Sequence, residues 1–336
     1  MLVERSTGNV SVDPSLRIAV LVPCYNEEHA ITQVVRDFRA ALPTAVIYVY
    51  DNNSQDRTRV LAAEAGAIVR SETRQGKGFV VRRMFGDIEA DVYVLVDGDD
   101  TYDASVASAM VSLLVNDRLD MVVGRRITDE AAAYRAGHRL GNLIFTRVVA
   151  RLFGNRFEDI LSGYRVFSRR FVKSFTVSTG GFEIETEITI HALTLNVPIQ
   201  EIDTSYRSRP EGSHSKLSTY KDGFHILVAI VTLFREEQPL AFFSIVGSVL
   251  IVLALILIYP IFIEYLRTGL VPRFPTAILC TGLVLSGLFS YAAGVILDTV
   301  TRGRRENKML AYLAIPALDA QPQAKEVARA GQARER

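Results

Sequence analysis

Two stretches constrain this chain more than any other feature. Residues 240–263 and 274–297 each run for 24 positions without an Asp, Glu, Lys or Arg. At the rise of an α-helix, each covers about 36 Å, against about 30 Å of bilayer hydrocarbon. Buried core helices of soluble proteins rarely stay free of charge for that long. The pattern therefore predicts two transmembrane helices, and much of the chain's 49% apolar content is concentrated there. Only residues 264–273 join them, so they form an antiparallel hairpin whose outer ends share one side of the membrane. Arg302, Arg304, Arg305 and Lys308 follow the second span, whereas the connector carries only Arg267 and Arg273. The positive-inside bias then puts residues 17–217 and the C-terminus in the cytosol, in a multi-pass protein of the inner (cytoplasmic) membrane. Residues 1–16 have no apolar core and read as a flexible N-terminus, not a signal peptide.

The rest of the 336 residues suffices for one large soluble domain. Lys and Arg number 38 against 37 Asp and Glu, a net charge of +1, which lacks the basic signature of a nucleic-acid binder. The two cysteines, Cys24 and Cys280, are far apart and can build neither a disulfide framework nor a cysteine-rich metal site. His191, His214 and His225 show no metal-ligand spacing. The chemistry must come from other residues.

From Arg17 onward, short β-rich runs alternate with amphipathic stretches. Residues 17–22 (RIAVLV), 45–50 (AVIYVY), 92–96 (VYVLV) and 119–123 (LDMVV) read as strands, mostly as unbroken apolar runs of the kind buried in a parallel sheet. Ile31, Val34, Val35, Phe38 and Leu42 recur at helical spacing, and Asp103 can cap a helix carrying Val106, Met110, Leu113 and Leu114. The prediction is an α/β, doubly wound, mainly parallel sheet, whose ligands bind at the carboxyl ends of the strands. Those ends are polar: PCYNEE at 23–28, DNNSQD at 51–56 and DGDD at 97–100. For the first two, turn and cap chemistry, which Asn, Asp and Ser supply, stands beside a functional reading. The third is harder to explain that way, because clustered carboxylates repel unless a cation compensates. Hard oxygen ligands suit Mg²⁺ or Mn²⁺ holding a diphosphate. No G-x-G-x-x-G follows these strands and no G-x-x-x-x-G-K-[ST] occurs, which argues against dinucleotide and P-loop sites.

These motifs, with RQGKG at 74–78, resemble in order and spacing the nucleotide-sugar half of family 2 glycosyltransferases of the GT-A fold. DILSGYR at 159–165, GFE at 181–183 and YRSRPEGSHSK at 206–216 look like the polyprenyl-phosphate branch, the dolichyl-phosphate mannose synthases and bactoprenol glucosyltransferases. The resemblance covers roughly residues 17–300, and the terminal hairpin is similar to the bactoprenol enzymes, which are tetramers. It implies that Pro23, Tyr25, Glu27 and Asp51 surround the nucleobase and ribose, with Lys77 nearby. Asp97 would face ribose and metal, and Asp99 the metal directly. Some relatives carry a Gln two residues after the second Asp as a further metal ligand, where this chain has Thr101. Asp159 takes the position of the base or acceptor orienter, with Arg165 behind it in the same motif. Arg209, Ser215 and Lys216 would grip the lipid phosphate, and Glu183 would contact acceptor or sugar.

What the resemblance implies is inverting, metal-dependent transfer of a hexose, from UDP-glucose ahead of GDP-mannose, to a polyprenyl phosphate at the cytoplasmic face. A phosphate monoester has its second pKa near about 6 and is its own nucleophile, so Asp159 need only orient or weakly assist. Arg209 and Lys216 would offset repulsion between two anionic substrates, or serve in a basic stretch that faces anionic lipid. Expected partners are the nucleotide-sugar, polyprenyl phosphate, the bilayer and further copies of the chain, with no nucleic acid. Glu183, Glu185 and Glu187 lie two apart on a helix and scatter over different faces. Residues 218–238, with Phe224, Leu227, Val228, Val231 and Leu233, read as an amphipathic juxtamembrane helix. Residues 239–298 hold the two spans, and 299–336 read as a basic, partly disordered cytosolic tail. Two alternatives stay open: transfer to a glycolipid hydroxyl, which needs a true base, and a non-catalytic nucleotide-binding scaffold. A processive polysaccharide synthase needs Gln-x-x-Arg-Trp, and the chain has no Trp.

Overall fold

The computed structural model describes residues 15–127, 157–176, 184–207, 228 and 231–318. The chain divides into two units, Met1–Thr219 with Lys308–Arg336, and Tyr220–Asn307.

The first unit is built on a seven-stranded sheet. Its strands are β1 (Ile18–Cys24), β2 (Val46–Asp51), β3 (Ile68–Ser71), β4 (Val92–Leu95), β5 (Met121–Ile127), β6 (Arg165–Ser168) and β7 (Ile199–Ser205). They lie in the order β3-β2-β1-β4-β6-β5-β7. All pairings are parallel except those of β6, which runs antiparallel to both β4 and β5. Every residue of β1 is buried, as an apolar run sandwiched between helical layers requires. Helix α1 (Ile31–Ala41) buries Ile31, Val34, Val35 and Phe38 from the face that the spacing predicts. Helices α2 (Thr58–Glu64) and α3 (Lys77–Asp87) follow β2 and β3. Asp103 accepts from the Ser105 amide and caps a 3₁₀ turn that leads into α4 (Ala107–Asn116). Helices α5 (Arg169–Ser174) and α6 (Ile184–Leu195) separate β6 from β7.

This is the expected α/β, mainly parallel architecture, with β3, β6 and β7 added to the four strands read from the sequence. The strand read at 119–123 begins at Met121 and runs to Ile127. Asp120 precedes it as a fully buried anchor that accepts from Ser168, Arg170 and Tyr312.

The second unit contains α7 (Pro239–Thr268) and most of α8 (Phe274–Leu313). Both are long and apolar enough to cross a membrane. In their most apolar windows only 11% and 17% of the residues are buried, the reverse of a soluble core helix. The helices approach closely at Gly247 and Gly287, where a Cβ on Gly247 would stand 2.8 Å from the Gly287 carbonyl oxygen. One turn away, the Ser248 and Tyr291 hydroxyls share a 2.6 Å hydrogen bond. Helix α8 does not stop at the end of its apolar stretch. Its last residues, from Lys308, belong to the first unit, so a helix occupies positions 299–313 of the expected tail. Of the expected juxtamembrane segment, residues 231–237 are helical.

Candidate active site

The carboxyl ends of β1, β2 and β4 open on one edge of the sheet, with β5 and β7 continuing it beyond the antiparallel β6. Near the end of β1, Pro23 pairs with Tyr50, and the last residue, Cys24, pairs with Asp51 at the end of β2. The turns that follow are tied together: the Asn26 amide donates to Ser54 Oγ at 2.8 Å and the Glu27 amide to Thr58 Oγ1 at 2.8 Å. Asp51 is buried and receives the Ser54 amide at 3.3 Å. Asn52 reaches across to the next loop, donating to the carbonyls of Glu72 and Arg74 and accepting from the Gly76 amide at 2.7 Å. These bonds bring Tyr25 and Glu27 to the same edge as the Gly-Lys-Gly turn.

Lys77, the first residue of α3, bridges two carboxylates. Its Nζ lies 2.5 Å from Asp97 Oδ1 and also bonds Glu185 Oε1 from the first turn of α6. Burial by itself would lower the Lys77 pKa, but Asp97 and Glu185 outweigh it and hold the ammonium above its ordinary range. Asp97 and Asp99 follow β4 directly. Asp99 is buried, and Thr101 Oγ1 donates to its Oδ1 at 2.6 Å. Thr101 thus supports a carboxylate at the place where some relatives have a Gln ligand. The pair fits a divalent cation in its donor set: two hard carboxylates, with the Asp97 side chain 28% exposed, leave room for diphosphate oxygens and water. Among the described residues, no group of three or more His, Cys, Asp or Glu comes together as a complete protein cage.

Space for Asp97 is made by Gly163, since a Cβ there would collide with its carboxylate. The Gly163 amide donates to Tyr102 Oη at 2.8 Å. Burial raises the pKa of this phenol, opposed by the nearby Arg126 and reinforced by Asp97, so it stays protonated. Arg126, near the end of β5, grips Asp159 with two 2.8 Å bonds and packs over the Tyr206 ring, 5.4 Å from its centroid. Asp159 is 5% exposed, and its amide is held by Glu201 Oε1 at 3.1 Å. The Tyr206 ring also lies 5.3 Å from that of Tyr102, so Asp97, Gly163, Tyr102, Tyr206, Arg126 and Asp159 form one continuous wall.

Arg165 stands elsewhere. It is fully buried, and its guanidinium donates to the carbonyls of Ser162 and Ile160 and to Thr189 Oγ1. Burial lowers its pKa to about 10. Arg165, expected among the reacting groups, is enclosed by the loop that carries Asp159. The structure brings together Pro23, Asp51, Lys77, Asp97, Asp99 and Asp159 along the sheet edge. Glu183, Arg209, Ser215 and Lys216 lie outside the described residues. Two residues go unread in the sequence. Arg126 follows the apolar run of β5, the strand-end signal that singles out Asp97. Glu185 meets Lys77, and the i,i+2 spacing of the glutamates offers no way to single it out.

Residues 19–175 match the family described as Glycosyl transferase family 2. The protein RfbJ of Shigella flexneri is 56% identical over 126 residues, 37% of this chain and 98% of RfbJ. The glycosyltransferase AglJ of Haloferax volcanii is 36% identical over 232 residues, 68% of this chain and 76% of AglJ. The dolichyl-phosphate hexose transferase of the same organism is 31% identical over 66% of this chain and 95% of its own length. Among solved structures, a glucosyl-3-phosphoglycerate synthase from Mycobacterium tuberculosis in complex with Mn²⁺, UDP and glucosyl-3-phosphoglycerate superposes with a TM-score of 0.53. It is 22% identical and matches over 66% of this chain and 79% of its own, which establishes the shared GT-A-like fold. With the motifs, the fold and these relatives in agreement, the chain belongs to glycosyl transferase family 2.

Proposed function

We propose that this glycosyltransferase moves a hexose from a nucleotide-sugar to a polyprenyl phosphate at the cytoplasmic face of a membrane, with inversion. The observation that carries the reading is the wall running from Asp97 through Gly163 and Tyr102 to the Arg126–Asp159 pair. It sets a carboxylate end suited to a metal-bound diphosphate beside a second charged pair suited to an acceptor. The two exposed apolar helices and the relative named as a dolichyl-phosphate hexose transferase support a lipid acceptor.

In this reading Pro23, Tyr25, Glu27 and Asp51 hold the nucleoside, and Asp97 and Asp99 hold Mg²⁺ or Mn²⁺. When bound, the cation supplies positive charge to the leaving diphosphate. Lys77 adds a second positive charge at the same edge. The acceptor phosphate is ionised at neutral pH and attacks the anomeric carbon itself, so a strong base is unnecessary. Asp159, already engaged by Arg126, orients the acceptor side, and Arg165 keeps its loop in place. Arg209, Ser215 and Lys216 are assigned to the lipid phosphate by their basic and hydroxyl chemistry. A single in-line displacement inverts the sugar.

The test is incubation of the detergent-purified chain with polyprenyl phosphate, Mg²⁺ or Mn²⁺, and a panel of labelled sugar nucleotides, following label into the organic phase. Transfer from one donor that stops with EDTA and in Asp99→Ala is expected. Transfer that ignores polyprenyl phosphate and needs a glycolipid hydroxyl overturns the acceptor assignment.

A further inference from the structure

Lys77 occupies an unusual position for a residue beside a metal site. Its ammonium lies 2.5 Å from Asp97, a carboxylate proposed above to bind the divalent ion, and it simultaneously bonds Glu185. Glu185 is 7% exposed, on a helix that contributes nothing else to the nucleotide edge described above. Asp97, Asp99 and Glu185 carry three negative charges, and Lys77 returns one positive charge. A divalent cation arriving at Asp97 would meet an ammonium on the same carboxylate, and two cations sharing one group repel strongly where water is scarce. The ammonium must give way. Glu185 is already in contact with it, so it can leave Asp97 and stay paired.

The geometry points to Glu185 as a positioning residue that retains Lys77 when the divalent ion takes Asp97, making Lys77 an internal counter-ion exchanged for the metal. This inference rests on the reading of Asp97 and Asp99 as metal ligands. Before metal arrives, Lys77 screens the carboxylates from one another. Afterwards, held by Glu185 alone, it remains at the mouth of α3 facing the diphosphate side. Without Glu185 the ammonium has only Asp97 to pair with and competes with the metal for it.

The experiment is Mn²⁺ binding to the full-length, detergent-purified chain, read as loss of the free-ion electron paramagnetic resonance signal, with UDP in one series and GDP in another. Glu185→Gln is expected to raise the Mn²⁺ Kd about tenfold. Lys77→Met is expected to bind Mn²⁺ at least as tightly as wild type. In the double variant the competitor is gone, so its Kd should return to within about threefold of Lys77→Met. A tenfold loss that persists in the double variant means that Glu185 acts by its own charge or by structure, and overturns the inference. So does a Glu185→Gln Kd equal to wild type while Asp99→Asn binds poorly. If Asp99→Asn binds Mn²⁺ normally, or wild type binds none, the metal reading itself is overturned and this inference with it.

Discussion

Arg126 closes two nitrogens of its guanidinium onto Asp159, Nε on Oδ2 and Nη2 on Oδ1, each at 2.8 Å, and its amide reaches the same carboxylate at 3.2 Å. Both side chains are largely buried, so neither has water as a ready substitute partner. A carboxylate held this way has a fixed direction, in keeping with the orienting role proposed for Asp159. Asp159→Asn keeps the shape and loses the charge, and should leave measurable transfer to polyprenyl phosphate. Asp159→Ala removes the bidentate carboxylate that Arg126 grips and should cost about 3 kcal/mol of stability. Turnover and thermal unfolding of both variants in detergent check this. Complete inactivity of a stably folded Asp159→Asn would instead make Asp159 an essential base.

Gly163 provides a second test, independent of charge. Its missing side chain leaves the space that the Asp97 carboxylate fills, and Asp97 is also paired with Lys77. Gly163→Ala should push Asp97 aside without removing any ionisable group. The expected result is at least about a tenfold loss of turnover and of metal-dependent donor binding, equivalent to roughly 1.4 kcal/mol, with the fold retained. Unchanged Mn²⁺ dependence in Gly163→Ala would remove Asp97 from the metal site.

The parts of this molecule that can be read from sequence are those where one residue type has one reason to be present. Strands β1, β2 and β4 are legible because they lie in the middle of the sheet and need little but apolar residues. Strand β3 (IVRS) is short and mostly exposed, and shows no periodicity to find. Strand β6 opens with Arg165, a residue that argues for the surface until its three backbone and hydroxyl acceptors are seen around it. Asp97 and Asp99 stand out because carboxylates at a strand end demand compensation, and Asp159 stands out through the family resemblance of its motif. Their compensators do not. Arg126 and Glu185 come from segments distant in sequence, and only the folded chain places them against Asp159 and Lys77.

A pH effect on stability follows from His191. It is buried beside Phe171 and Phe175, with Ser174 Oγ 3.2 Å from its Nε2 and no hydrogen-bond partner for Nδ1 among the described residues. Burial, aided by the Lys308 charge, lowers its pKa to about 3. The ordinary value is about 6.5, so between these limits the unfolded chain binds a proton that the native one refuses. Stability is therefore lost as pH falls below about 6.5, by about 2 kcal/mol at pH 5 from this group. In His191→Gln the fall in Tm between pH 7.5 and pH 5 should be smaller. An identical fall would mean that His191 is charged in the native state.

The last prediction concerns Asp120, whose four donor atoms come from three residues. Oδ1 accepts from Ser168 Oγ and Arg170 Nε, each at 2.6 Å, and Oδ2 from Arg170 Nη2 at 2.7 Å and Tyr312 Oη at 2.6 Å. Tyr312 lies in the last turn of α8, and its ring also packs under the Arg170 guanidinium, 4.7 Å from its carbon. Tyr312→Phe removes one hydrogen bond to a buried charge but keeps the ring, so the loss should be about 1.5 kcal/mol. Asp120→Ala leaves Arg170 and Tyr312 without their acceptor and should cost about 3 to 5 kcal/mol. Asp120 precedes β5 and Arg126 lies near its far end, about 20 Å away along the strand. The losses should therefore appear in Tm while the KM for donor and acceptor stays unchanged in Tyr312→Phe. A raised KM with normal Tm would mean that the end of α8 is coupled to the nucleotide edge rather than serving as an anchor for the sheet.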